Sequence, residues 1–162
     1  MKSSRTLFLV LVSATLALAA PTAQQSFDQL KALAGQWEGK AANGGTVEVS
    51  FRVMANGSSL VSEINSPHDN MISVFHMDGE RLLLTHYCGA GNQPRMKATI
   101  SPDGKAITFD FMDGTNILPS QPGYMRQLVI TMPDADHHIE EWVFVVTDGK
   151  EMRERFELQR KK

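Results

Sequence analysis

From residue 36 onward the chain alternates apolar and polar side chains at every second position, in short runs broken by turn signals. In the clearest run Val47, Val49, Phe51 and Val53 point one way and Thr46, Glu48, Ser50 and Arg52 the other. Met96, Ala98 and Ile100 alternate with Arg95, Lys97 and Thr99; Ile107, Phe109 and Phe111 with Thr108 and Asp110; Phe156 and Leu158 with Arg155, Glu157 and Gln159. One apolar and one wet face is the pattern of an antiparallel sheet. It predicts strands over 36–42, 46–55, 59–65, 70–77, 80–88, 94–101, 105–112, 123–132, 138–147 and 151–160. Between them stand Asn43-Gly44-Gly45, Asn56-Gly57, Asp78-Gly79, Asp103-Gly104, Asp113-Gly114 and Asp148-Gly149. Such pairs suit type I′ hairpin turns, whose central residues both need φ > 0. Turns this short make sequence neighbours pair as a meander, and closing a sheet of this size removes its edges. The expected fold is all-β, a single antiparallel up-and-down β-barrel of about ten strands with a short N-terminal helix. Phe27, Leu30 and Leu33 mark the buried face of that helix, and Gly35 is expected to stop it. Two loops exceed a tight turn, 89–94 and 113–123, and long loops at a barrel mouth tend to carry function.

The start of the chain reads differently. Lys2 and Arg5 precede an apolar run from Thr6 to Ala19, with small residues at Ala17, Ala19, Ala20 and Ala23. This is the pattern of a secretory signal peptide over 1–23, cleaved between 19 and 23, and the run is shorter than the roughly 20 residues that span a bilayer. The barrel domain is expected over 24–162, secreted or periplasmic, with no membrane anchor after cleavage. The whole chain carries 16 Lys and Arg against 18 Asp and Glu, and removing Lys2 and Arg5 takes the balance to about −4. An acidic domain of this kind is not suited to nucleic acid. Cys88 is the single cysteine, so no intrachain disulfide braces the domain and its core must suffice.

A short helix, then Gly35-Gln36-Trp37 on the first strand, then a meander ending in a strand with an arginine, resembles the calycin superfamily: lipocalins, fatty-acid-binding proteins and nitrobindin-type heme-binding barrels. It is also similar to secreted bacterial calycin-like proteins of unassigned function. The resemblance implies that Trp37 packs across one end of the barrel and that Arg160 (or Arg155) lies over its ring, a cation–π contact of roughly 0.5–2 kcal/mol. Arg160 shares the Phe156 and Leu158 face and is the better candidate. The lipocalin disulfide and the Thr-Asp-Tyr turn of that superfamily have no counterpart here.

Several residues could carry chemistry inside such a barrel. His86 and Cys88 share a strand face with Leu82 and Leu84, about 7 Å apart along the strand. They could line a cavity or, with His138, give soft ligands to a metal; a hydrogen-bonded wall histidine and a buried thiol explain them as well. Arg95, directly after Pro94, is expected to head toward the mouth or into solvent. His138, Glu140, Trp142, Phe144 and Val146 share one strand face; if it is the inner one, His138 sits near the rim, as a heme ligand or a hydrogen-bonding group. Tyr124, Arg126, Leu128 and Ile130 share another, where Arg126 could hold a ligand carboxylate or pair with Glu63, Glu140 or Glu154. The methionines read as adaptable filling rather than a copper site. No Gly-rich phosphate loop, His-Glu-x-x-His or Gly-x-Ser-x-Gly motif occurs, so a catalytic reading has no mechanism behind it. The expected function is small-molecule binding: a partly apolar ligand held by His86, Arg95, Tyr124, Arg126, His138 and Trp142. The alternatives are a heme- or metal-binding barrel with redox or gas chemistry, and a filled barrel acting through a protein partner.

Overall fold

A computed structural model describes residues 20–41, 44–66 and 70–162. Residues 1–19 of the expected signal peptide, and Asn43 of the first turn signal, lie outside the described residues. Helix α1 (Ala23–Lys31) is followed by β1 (Gly35–Lys40), β2 (Thr46–Met54), β3 (Ser59–Asn65), β4 (Asn70–Asp78) and β5 (Arg81–Tyr87). Then come β6 (Gln93–Ile100), β7 (Ala106–Thr115), β8 (Gly123–Thr131), β9 (His137–Val146) and β10 (Glu151–Arg160). Each strand pairs antiparallel with its neighbours in sequence, and β1 pairs with β10, which closes the barrel. The fold is thus the ten-stranded antiparallel barrel with one short helix that the alternation predicts.

Local chemistry explains where the elements start. Thr22 accepts a hydrogen bond from the Gln25 backbone N–H at 3.2 Å, and the Gln25 side chain accepts one from the Thr22 N–H at 2.8 Å. This reciprocal cap satisfies two of the helix's unpaired N–H groups. Phe27, Leu30 and Leu33 are buried against the barrel end. Gly35 does not stop the helix as expected. The helix ends at Lys31, and Gly35, with φ of 136°, is the first residue of β1. A Cβ there would stand 2.9 Å from Arg160 Nη1, so the glycine makes room for that guanidinium.

Asp113-Gly114 is not a turn either. β7 runs through it to Thr115, Asp113 pairs with Arg95 and Gly114 with Pro94. An ion pair between Arg95 and Asp113 ties the two strands there. A Cβ on Gly114 would meet Ile117 Cγ1 at 2.9 Å and the Gln93 carbonyl at 3.1 Å, so close packing, not a left-handed turn, explains the glycine.

The barrel has two unlike halves. At the end where the odd strands begin, α1 and Trp37 close it over Phe51, Phe75, Phe109, Leu60 and Leu84, all buried. The other end carries the β1–β2, β3–β4, β5–β6, β7–β8 and β9–β10 connections. Both long loops lie at that end. The Asn92 side chain, fully buried, donates to the Gly123 carbonyl at 2.7 Å and fastens them together.

Candidate functional site

The closed end is a stack. Trp37 is wholly buried and donates from Nε1 to the Leu33 carbonyl at 2.8 Å. The Arg160 guanidinium lies 4.2 Å from its ring centre. The same guanidinium donates to the Ala34 and Ala32 carbonyls at 2.9 Å each and to Ala135 at 3.1 Å. It thereby satisfies carbonyls past the end of α1 that have no helical partner. On the inner side of Trp37 stands His138, ring to ring at 4.3 Å and edge-on.

β9 settles which of its faces is inside. His138, Glu140 and Trp142 all point in and are buried. Glu140 bridges them, with Oε1 3.3 Å from His138 Nε2 and Oε2 accepting from Trp142 Nε1 at 3.0 Å. His138 is therefore inside as one reading held, but at the closed end rather than the rim, because β9 begins beside Trp37 and ascends away from it. His86 lies deeper than the mouth as well. Its Nδ1 shares a hydrogen bond of 2.9 Å with Ser73 Oγ, its cross-strand partner. Its ring sits 4.7 Å from that of Trp142. Burial pushes the imidazole down to about 4, so it is neutral near pH 7. Its Nε2 is buried with no hydrogen-bond partner among the described residues.

Above Trp142 the barrel opens into a cavity of about 680 Å³. Its wall includes Ile64, Met71, Met125, Phe144 and Phe156, and Gly89, Ala90 and Pro122 reach it from the two long loops. Cys88 lies at its rim. Glu154 lines it too and stands opposite Trp142 in the β9–β10 register, on the inward face.

Of the two arginines, Arg126 is not where the alternation put it, and Arg95 takes the solvent-facing one of its two expected positions. Arg126 does not face inward with Leu128. The β8–β9 register slips between Met125 and Gln127, so Arg126 is the extra residue of a bulge. Met125 turns to the cavity in its place, and Arg126 pairs with Glu151 rather than Glu63, Glu140 or Glu154. Tyr124 stacks on Phe111 at 4.6 Å and borders a separate depression of about 300 Å³. Arg95 is half exposed and engaged with Asp113, not turned into the mouth. Of the six ligand-binding candidates only Trp142 lines the cavity.

The heme reading meets the same obstacle. No described histidine lines the cavity, since Trp142 stands beside His86 and Trp37 and Phe51 enclose His138. Among the described residues no three of His, Cys, Asp and Glu converge as a metal site. The described side chains, as they stand, offer the cavity no histidine ligand for a heme.

Glu154, Phe144, Phe156, Met71 and Met125 are cavity residues that the sequence reading did not single out. For Glu154 the signal was present: it has the same parity on its strand as Phe156 and Leu158, which are buried.

Among solved structures, the chain is similar to the crystal structure of Rv2717c from M. tuberculosis. The two superpose with a TM-score of 0.58 at 16% sequence identity, over 89% of this chain and 99% of that one. At such identity the likeness speaks for the fold alone. No protein-family model and no curated protein matches the sequence.

Proposed function

We propose that this is an exported binding protein that takes a small, mostly apolar ligand into the open end of its barrel. The observation that carries the reading is the 680 Å³ cavity, lined by aromatic, aliphatic and thioether side chains at the end opposite the Trp37 plug. That volume falls within the roughly 300–1,000 Å³ of small-molecule pockets, which are mostly apolar with few polar groups. The calycin-like sequence features agree with such a use, and a cavity of this size argues against a filled barrel acting only through a protein partner. Export fits the leader. Cleavage after Ala19 leaves Thr22 to cap α1, whereas cleavage after Ala23 removes the cap.

Titration with N-phenyl-1-naphthylamine, a neutral dye that brightens in apolar surroundings, tests the reading. Saturable brightening is expected with the wild type, and its loss in Met125→Trp, where an indole fills the cavity from the wall. If wild type and variant behave alike, or the wild type shows no saturable binding, the proposal fails.

A further inference from the structure

The charged group on the inward face of the cavity wall is a carboxylate, not the cation a carboxylate-binding barrel needs. Two charged side chains line it among the described residues, Glu154 and Arg153. The β8 bulge turns Arg126 out to Glu151. Arg153, at the rim, alternates with the inward positions of β10 and donates to Glu151 Oε2 at 2.7 Å, with two thirds of its side chain exposed. Glu154 is the acidic residue that lines the cavity, half-buried and in register with Trp142. It also interacts within the protein, but a carboxylate has two oxygens and accepts several donors.

Around this carboxylate the wall is aromatic. Trp142, Phe144 and Phe156 all line the cavity. The indole of Trp142 is fixed in place, because its Nε1 donates to buried Glu140. It cannot turn its N–H toward a ligand without giving up that bond, so a ligand meets the ring rather than the N–H. Ring faces carry negative potential and attract cations, most strongly when water is excluded. A carboxylate beside them adds charge of the same sign. An anionic headgroup is disfavoured at such a wall and a cationic one is favoured.

We infer that the ligand is an organic cation with an apolar body, an amine or quaternary ammonium, whose charged head is held by Glu154 and the faces of Trp142 and Phe156 while its chain fills the space between Met71, Met125 and Ile64. This rests on the cavity being a binding site, and the test separates the two claims.

Three probes of one chain length differ only in the head: decyltrimethylammonium, decanol and decanoate. Binding is read from Trp142 fluorescence, with Trp142→Phe correcting for the other tryptophan, Trp37. The expected order in wild type is cation, then alcohol, then carboxylate, with the cation at least about tenfold tighter than the alcohol, which is about 1.4 kcal/mol. That preference should shrink as salt is added, because part of it is charge attraction at a partly exposed site. Glu154→Gln should weaken the cation by about tenfold while leaving decanol unchanged, and Glu154→Lys should favour decanoate. If all three probes bind the wild type alike, or decanoate binds best, the inference is overturned while the binding cavity stands. If none binds, the cavity reading fails and takes the inference with it. The wild-type ranking decides even if a variant folds poorly.

Discussion

His86 shows how a single side chain is set by its surroundings. It sits in a fully buried position beside Trp142, and its one described polar partner is the Ser73 hydroxyl. With no carboxylate against it to hold a positive charge, desolvation dominates and the imidazole titrates near 4 rather than its ordinary 6.5. The unfolded chain therefore binds a proton that the folded protein refuses. Stability from this group is fully present above about pH 6.5 and falls as the pH drops toward 4, below which both states are protonated. The full loss is about 3 kcal/mol. Thermal midpoints from pH 7.5 to 4 should fall less steeply in His86→Leu than in the wild type, since the remaining carboxylates titrate in both. Parallel curves would mean that His86 is protonated in the fold. The type of chemistry at this position was legible in the sequence, as a histidine on an apolar strand face. Its depth was not, because alternation gives the face a residue points to and not its height along the barrel axis. The same gap moved His138 from the expected rim to the Trp37 plug.

At the scale of elements, period-two alternation located all ten strands to within a few residues, helped by Gly44, Gly57, Gly79, Gly104 and Gly149, whose φ > 0 marks five of the turns. It failed where a strand breaks its own period. In β8 the bulge at Arg126 exchanges the faces of the residues before it, so Leu128 and Met125 point inward although they are three apart. No residue in Tyr124-Met125-Arg126-Gln127 announces this; the register against β9 decides it. Asp113-Gly114 misled in the opposite sense, since a glycine required for close approach looks the same as one required for a turn. The bulge makes a clear prediction. Arg126→Ala removes an ion pair that is more than a third exposed on both sides, and such pairs contribute roughly 0–1 kcal/mol. The variant should unfold within about 1 kcal/mol of wild type in urea and bind the neutral dye with unchanged affinity. A large loss of affinity at normal stability would put Arg126 inside the cavity and the bulge elsewhere.

The whole molecule divides its tasks between its ends. At the closed end, α1, Trp37, Arg160 and the β10 terminus interlock. Arg160 spans the turn after α1, the β8–β9 connection and the indole, and Lys161 donates from its backbone to the Gln36 carbonyl and pairs with Glu48. At the open end the wall is apolar but unfilled, with two loops fastened by Asn92. Between the two runs the inward string of β9, His138 to Glu140 to Trp142, which touches the plug at its lower end and the cavity at its upper. Whether the halves act independently depends on the stiffness of that string. Its polar members are buried, and a carboxylate bridging two fixed rings has few other arrangements open to it, so cavity shape should survive damage at the plug as long as the barrel folds. Trp37→Ala should cost about 3–5 kcal/mol, as loss of a large buried aromatic does, and remove the seat of the Arg160 guanidinium. Below its lowered unfolding temperature the variant should still bind N-phenyl-1-naphthylamine within about twofold of wild type, a change of roughly 0.4 kcal/mol. Urea unfolding and dye titration on one sample measure both. A variant that keeps its stability but loses the dye would show that Trp37 belongs to the site. One that loses both in proportion, at temperatures where it is still folded, would show that the His138–Glu140–Trp142 string transmits the plug's position to the cavity.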